Sequence, residues 1–264
     1  MKITATSNPR IQAALRSVES GERLLIEGDR ALGEALAAGI VPTEVFLEGD
    51  EEPGSWSDRG FVGEAAKRGA SLCFVTSKVL SKLSDLPSAR GVVALAVPPR
   101  RSLSDPLFSK KPPAVSLFVL LDGVQDPVNV GAIVRSAEAF GVAAVLLTPD
   151  CASPFSPKAV RASALSALRV PLATGVTPGD AVAWADRLGA TLAGAETRGG
   201  EPPSSLSGLR PLVLVVGSEG RGISTALESR LARRVTIPLA GNVESLNAAV
   251  AAGVLLALVS GRAF

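Results

Sequence analysis

The sequence contains no histidine and no tyrosine, and only two of its 264 residues are cysteine. Without imidazole there is no Ser–His–Asp or Cys–His machinery, no histidine general base and no histidine-containing metal site. Cys73 and Cys151 stand alone and are too few for a zinc cluster, so no metal is expected. The opening MKITATSNPRIQ lacks the apolar core of a signal peptide, which makes the two thiols read as free cysteines in a reducing cytoplasm. Long hydrophobic runs are missing too. Ala248–Val259 is too short to span a bilayer and is interrupted by Gly253, so no membrane segment is expected. Any chemistry must use Arg, Lys, Asp, Glu, Ser, Asn or backbone groups.

What is present is a globular composition, 47% hydrophobic and 20% charged, long enough for one or two domains. One stretch, VPPRRSLSDPLFSKKPPAV (97–115), is rich in Pro, Ser and basic residues and reads as a linker. Residues 98–113 carry four Lys and Arg against one acid, whereas 1–97 carry 11 against 13 and 114–264 carry 12 against 11. The net charge of +2 therefore comes mostly from the linker. A polyanionic partner and a solvated spacer both account for that.

Before the linker, the segments 23–28, 44–49, 71–76 and 91–97 read as strands, and 29–38 and 77–84 as helices, giving a small α/β sandwich. After it the strands become almost wholly apolar, at 115–122, 142–147, 190–196 and 211–217. Such runs, separated by helices, indicate a parallel sheet covered on both faces. Ligands of such sheets sit at the carboxyl ends of the strands.

Three loops occupy those positions. In LDGVQDPVNVGAIVRSAEAFGV (121–142) a strand passes through Asp126-Pro127 into a helix carrying Asn129, Arg135 and Glu138. Asn129 and Arg135 are about 600° apart on a helix and need not share a face. Taken singly, Asn129 also reads as a helix cap and Arg135 as a surface cation. In VVGSEGRGIS (215–224) the glycine spacing fits neither a dinucleotide fingerprint nor a phosphate-binding P-loop, and suggests close approach of a ligand to the backbone. In IPLAGNVESLNAAVAA (237–252) a polar turn precedes a helix expected to start at Ser245.

Together the three resemble the signature motifs of the SpoU/TrmH family of RNA ribose 2′-O-methyltransferases, carried by DPVNVGAIVRSAEAFG, VGSEGRGIS and IPLAGNVESLNAAVAAG. SPKAVRASALSALRVP (156–171) is similar to a further family stretch, except that Leu165 stands where glycine is more usual. NPRIQAALR…RLLIEGDRALGEAL and GVVALAVP resemble the family's small ribosomal-protein-like domain.

The resemblance implies an α/β fold with a knotted parallel-sheet methyltransferase domain (114–264), a trefoil knot in its C-terminal segment, and an RNA substrate-binding domain at 1–97. It implies S-adenosylmethionine bound through Gly217, Ile237 and Leu246. The residues matching the family's functional set are Asn129, Arg135, Glu219, Ser245 and Asn247. Arg135 reads as a cation stabilising the developing alkoxide or gripping a phosphate, since guanidinium stays protonated. Glu219 is expected to orient Arg135, and Ser245 and Asn247 to fix the loop or the ribose. RNA contacts are expected from Arg10, Arg16, Arg23 and Arg30, with Arg100, Arg101, Lys110 and Lys111 of the linker adding to them. The family works as a homodimer with sites completed across the interface. Ribosomal RNA is the preferred substrate and transfer RNA the alternative. A non-catalytic RNA-binding paralogue and a nucleotide-dependent oxidoreductase are the rival readings, the first opposed by intact motifs and the second by the missing GxGxxG.

Overall fold

The structure is a computed structural model that describes residues 2–49, 60–84, 91–109, 116–241 and 243–261. The chain divides into two compact units, the first Met1–Pro99 with Phe155–Pro157 and the second Arg100–Pro154 with Lys158–Phe264.

In the first unit the elements run β1 (Lys2–Ile3), α1 (Pro9–Glu19), β2 (Leu24–Glu27), α2 (Asp29–Ala37), β3 (Pro42–Glu48), α3 (Gly60–Lys67), β4 (Ser71–Val75), α4 (Ser77–Leu83) and β5 (Val92–Ala96). They build a five-stranded mixed sheet in the order β1-β4-β3-β5-β2, with β5 antiparallel to both neighbours. Alternation along the strands divides the apolar side chains between the two faces. Leu25, Phe46, Cys73, Val75, Val93 and Leu95 pack with Ile11 and Ala14 of α1 and Val79, Leu80 and Leu83 of α4. Helices α2 and α3 pack on each other and on β2 and β3. Asn8 starts α1: its side chain accepts from Arg10 N, and Pro9 supplies the first helical residue.

In the second unit the elements are α5 (Pro106–Ser109), β6 (Leu117–Asp122), α6 (Pro127–Ala139), β7 (Ala144–Leu147), α7 (Pro157–Ala162), β8 (Leu172–Thr174), α8 (Pro178–Leu188), β9 (Thr191–Ala195), β10 (Leu212–Gly217), α9 (Thr225–Glu228), β11 (Arg233–Val235) and α10 (Ala248–Val259). The sheet is parallel throughout, ordered β11-β9-β10-β6-β7-β8. On one face Trp184 of α8 and Leu227 of α9 join Phe118, Leu120, Leu146, Val213 and Val215 in a single core, where the Trp184 and Phe118 rings meet edge to face at 4.9 Å. Helices α6 and α10 pack together, and α10 also contacts β10. Strand order reverses between β6 and β10, and ligands of open parallel sheets sit at the carboxyl ends of the strands near such a reversal.

The expected linker is not a free spacer where it is described. Arg101 bridges Ala173 beside β8, and Phe108 is 4% exposed and accepts a hydrogen bond from Trp184 Nε1 at 3.0 Å. One apolar ring, seated in the second unit's core, anchors a segment whose composition otherwise reads as solvated. Lys110 and Lys111 lie outside the described residues.

Candidate active site

The three sequence loops meet at the carboxyl end of the second unit's sheet. Asp126 caps α6 by accepting from Val128 N at 2.9 Å, so Asn129 is not the cap. Asn129 is buried one turn further in, and its Nδ2 donates to Glu219 Oε1 at 2.9 Å. Helix α10 begins at Ala248 rather than at Ser245. Its cap is Asn247, whose Oδ1 accepts from Ala249 N at 3.0 Å and Val250 N at 3.3 Å. Asn247 Nδ2 donates to Asn129 Oδ1 at 3.0 Å and to Glu219 Oε1 at 2.7 Å. Ala248 N adds a third donor to the same carboxylate oxygen at 3.3 Å. One carboxylate on the β10 loop thus holds the starts of α6 and α10 together. The concentrated N–H dipoles at the start of α10 favour that negative charge.

Glu219 does not orient Arg135. The two asparagines take its oxygen, while Arg135 is exposed and makes no hydrogen bond or ion pair among the described residues. The reason is helical phase: Asn129 faces α10, and Arg135 lies two-thirds of a turn away from it. Ser245 is also exposed, without a hydrogen bond among the described residues. Asn242, in the middle of the third motif, lies outside the described residues.

Beside this network is a cavity of about 320 Å³. Gly217, Ile237 and Leu246 all line it, together with Glu219 and Ser245. Most of the remaining wall is small or aliphatic, including Ala195, Val216, Val235, Ala251 and Leu255. Asn129, Arg135 and Asn247 are not part of the wall.

Gly217, Gly220 and Gly222 all line the cavity, in keeping with close approach of a ligand, and the first of them also meets its own chain. A Cβ on Gly217 would stand 2.3 Å from Gly222 C and 2.5 Å from Ile223 N. The close approach at Gly217 is made by the chain itself. Ser218 and Gly222 exchange backbone hydrogen bonds of 3.1 and 2.9 Å, closing a tight loop in which Gly222 has φ +69°. Gly220 has open space where its Cβ would be.

Two residues went unrecognised in the sequence. Asp122 ends the apolar strand β6 as a buried carboxylate, and it accepts from Ser224 N at 2.6 Å, tying β6 to the far end of the glycine loop. An acid closing an otherwise apolar strand was the available signal. Glu196, just past β9, lines the cavity, and nothing in its local pattern marked it. Burial pushes the Cys151 thiol up, and Sγ donates to Leu121 O at 3.3 Å. Among the described residues no group of three acids or cysteines could hold a metal ion.

The expected RNA contacts of the first unit do not form one patch. Arg10 is paired with Glu44 at 2.6 Å and donates to Ser71 Oγ at 3.1 Å. Arg23 reaches Thr43 Oγ1 at 3.4 Å, so both arginines lie at the amino ends of β3 and β4. Arg30 follows the carboxyl end of β2, which runs in the same direction as β3, and so stands at the opposite end of the strands. Arg16, near the end of α1, is exposed.

Residues 116–257 match the model of the SpoU rRNA methylase family. An "uncharacterized tRNA/rRNA methyltransferase" of Mycobacterium avium (strain 104) is 37% identical over 262 residues, covering 97% of this chain and 82% of that protein. Among solved structures, the AdoMet-bound rRNA methyltransferase from Sinorhizobium meliloti superposes with a TM-score of 0.84 at 26% identity, covering 98% of this chain and 96% of that one. An RNA 2′-O ribose methyltransferase gives 0.77 at 28% identity, with 98% and 97% covered. The SpoU methyltransferase AviRb from Streptomyces viridochromogenes gives 0.79 at 25% identity, with 96% of each chain covered.

Proposed function

The chain belongs to the SpoU rRNA methylase family, and on that premise we propose that it transfers a methyl group from S-adenosylmethionine to a ribose 2′-hydroxyl of structured RNA. The observation that carries this reading is the meeting of three separate loops in one hydrogen-bond network beside a cavity lined by Gly217, Ile237 and Leu246. Ribosomal RNA is the preferred substrate. The full-length structural match to an rRNA methyltransferase spans both units, which supports that choice over transfer RNA.

The cavity suits this cofactor. Its size is at the lower end of the roughly 300–1,000 Å³ of small-molecule pockets, and its walls are mostly aliphatic. Backbone N–H and C=O groups at 217, 237 and 246 can read an adenine edge while the side chains wall its faces. The trefoil knot implied by the motifs belongs to this proposal, as the threading that would bring 237–247 beside 216–222.

Bound there, S-adenosylmethionine supplies an electrophilic methyl on a cationic sulfur, so no metal is required. The protein's part is to hold the ribose oxygen in line and to ease removal of its proton. Arg135 serves as a fixed cation, with its paired N–H groups free to grip a phosphate or the developing alkoxide. Glu219 and Asn129 act one step removed, by fixing the starts of both helices. Asn247 does the same, and Ser245 on the cavity wall faces the bound ligands.

A second copy of the chain completes the site. Val250, Val254 and Leu258 form an exposed apolar stripe along α10, with Val250 51% and Leu258 58% exposed. On α6, Val128 and Arg135 are seven residues apart, within about 20° of the same direction, and both are exposed. A dimer covering these faces would carry Arg135 to its partner. The first unit contributes RNA contacts at its amino-end side, where Arg23 stands, and through Arg16, which is exposed on α1; Arg10 is paired there with Glu44. The enzyme works in the cytoplasm, in keeping with its RNA substrate. Among the described residues no helix is long and apolar enough to cross a membrane.

The test is titration with S-adenosylmethionine by calorimetry, in the presence of a chelator and alongside NAD. Binding of the first undiminished by chelation, without binding of the second, is the expected result. Loss of binding on chelation, or a preference for NAD, would overturn the proposal.

A further inference from the structure

Among the described residues, the cavity beside the network carries two carboxylates and no cation. Glu196 and Glu219 are its charged lining residues; the other described residues of the wall are Gly, Ala, Val, Ile, Leu, Ser and Thr. Glu219 is committed, since its Oε1 accepts from Asn129, Asn247 and Ala248. Glu196 is not. It is half-buried, and its carboxylate makes no hydrogen bond or ion pair among the described residues.

The backbone fixes where this acid stands. Glu196 immediately follows β9, and its N–H donates to Val235 O at 2.9 Å. Strand β9 lies between β10 and β11, so Glu196 leaves the sheet between the strand ends that lead to Gly217 and Ile237. A carboxylate on the wall of a cavity attracts a ligand that brings positive charge close to it.

We propose that Glu196 makes the cavity selective for charge, favouring S-adenosylmethionine, whose sulfur is cationic, over its neutral-sulfur product S-adenosylhomocysteine. The spent cofactor is then held less tightly than the fresh one. The inference rests on the reading of the cavity as the cofactor site. With an effective dielectric between those of protein and water, one unit charge several ångströms away shifts affinity by roughly 3- to 10-fold.

The experiment compares wild type with Glu196→Gln, which keeps the shape and removes the charge. Calorimetry is run on the full chain with four ligands: S-adenosylmethionine, its amine-bearing cationic analogue sinefungin, S-adenosylhomocysteine and adenosine. The expected result is a loss of roughly 3- to 10-fold for the two cationic ligands, with the two neutral-centred ligands held within about twofold. Unchanged adenosine affinity also shows that the variant folds and keeps its cavity. An equal change for all four ligands, or no change for S-adenosylmethionine, would overturn the role of Glu196 while leaving the cofactor site in place. Failure of wild type to bind any of the four would overturn the cofactor reading and this inference with it.

Discussion

Asn129 and Asn247, 118 residues apart in the chain, share a hydrogen bond of 3.0 Å, and both donate to the same oxygen of Glu219. Removing that oxygen strands a donor on Asn129, which is only 6% exposed. Glu219→Ala should therefore destabilise the protein by about 1–3 kcal/mol, with Glu219→Gln in between because it keeps an acceptor but loses the charge. Urea denaturation measures this. An alanine variant as stable as wild type would show that the network does not hold the two helices.

The glycine loop gives a contrasting pair. Gly217→Ala places a methyl 2.3–2.5 Å from backbone atoms of Gly222 and Ile223, which cannot swing away as a side chain would. A cost of about 1–3 kcal/mol and a marked loss of cofactor affinity are expected. Gly220→Ala meets nothing within 4 Å and should melt like wild type. Equal behaviour of the two variants would contradict this account of the loop.

Much of this site was legible in the sequence, for a physical reason. Strands buried on both faces declare themselves as continuous apolar runs, and the carboxyl ends of such strands are where loops must converge. The runs at 211–217 and 115–122 became β10 and β6, and the loops after them carry Glu219 and Asn129. What stayed hidden depended on distant partners. Glu219 turns to two asparagines, 90 and 28 residues away, rather than to Arg135. Helical phase separates Asn129 from Arg135, but no local pattern says which of them the acid will meet. Phe108 likewise hid in a polar stretch because its neighbours in the core lie far along the chain.

Leu165 adopts φ +69°, directly after Ala164 at +47°. A left-handed backbone costs a non-glycine residue about 1–2 kcal/mol, against the roughly 0.5–1 kcal/mol that glycine loses in chain entropy. Leu165→Gly should thus be neutral or stabilising by up to about 1 kcal/mol, the reverse of the usual effect of glycine. A fall in melting temperature of several degrees would show that the half-buried leucine side chain contributes more than its backbone costs.

The apolar stripe on α10 bears on assembly. Leu258→Glu places a charge on a residue 58% exposed, so the isolated chain should tolerate it. If a second copy covers the stripe, light scattering should find wild type dimeric and the variant monomeric, with methyl transfer reduced. A wild type that is monomeric at working concentrations would contradict the shared-site reading.

The central claim is the position of the transferred methyl. The direct measurement is to label RNA with the protein and methyl-labelled S-adenosylmethionine, then hydrolyse the product in alkali. A 2′-O-methyl group removes the hydroxyl that alkali needs, so the label is expected in resistant dinucleotides, and at least about 100-fold less of it per unit time with Arg135→Lys. Label released in mononucleotides would place the methyl on a base and contradict the account.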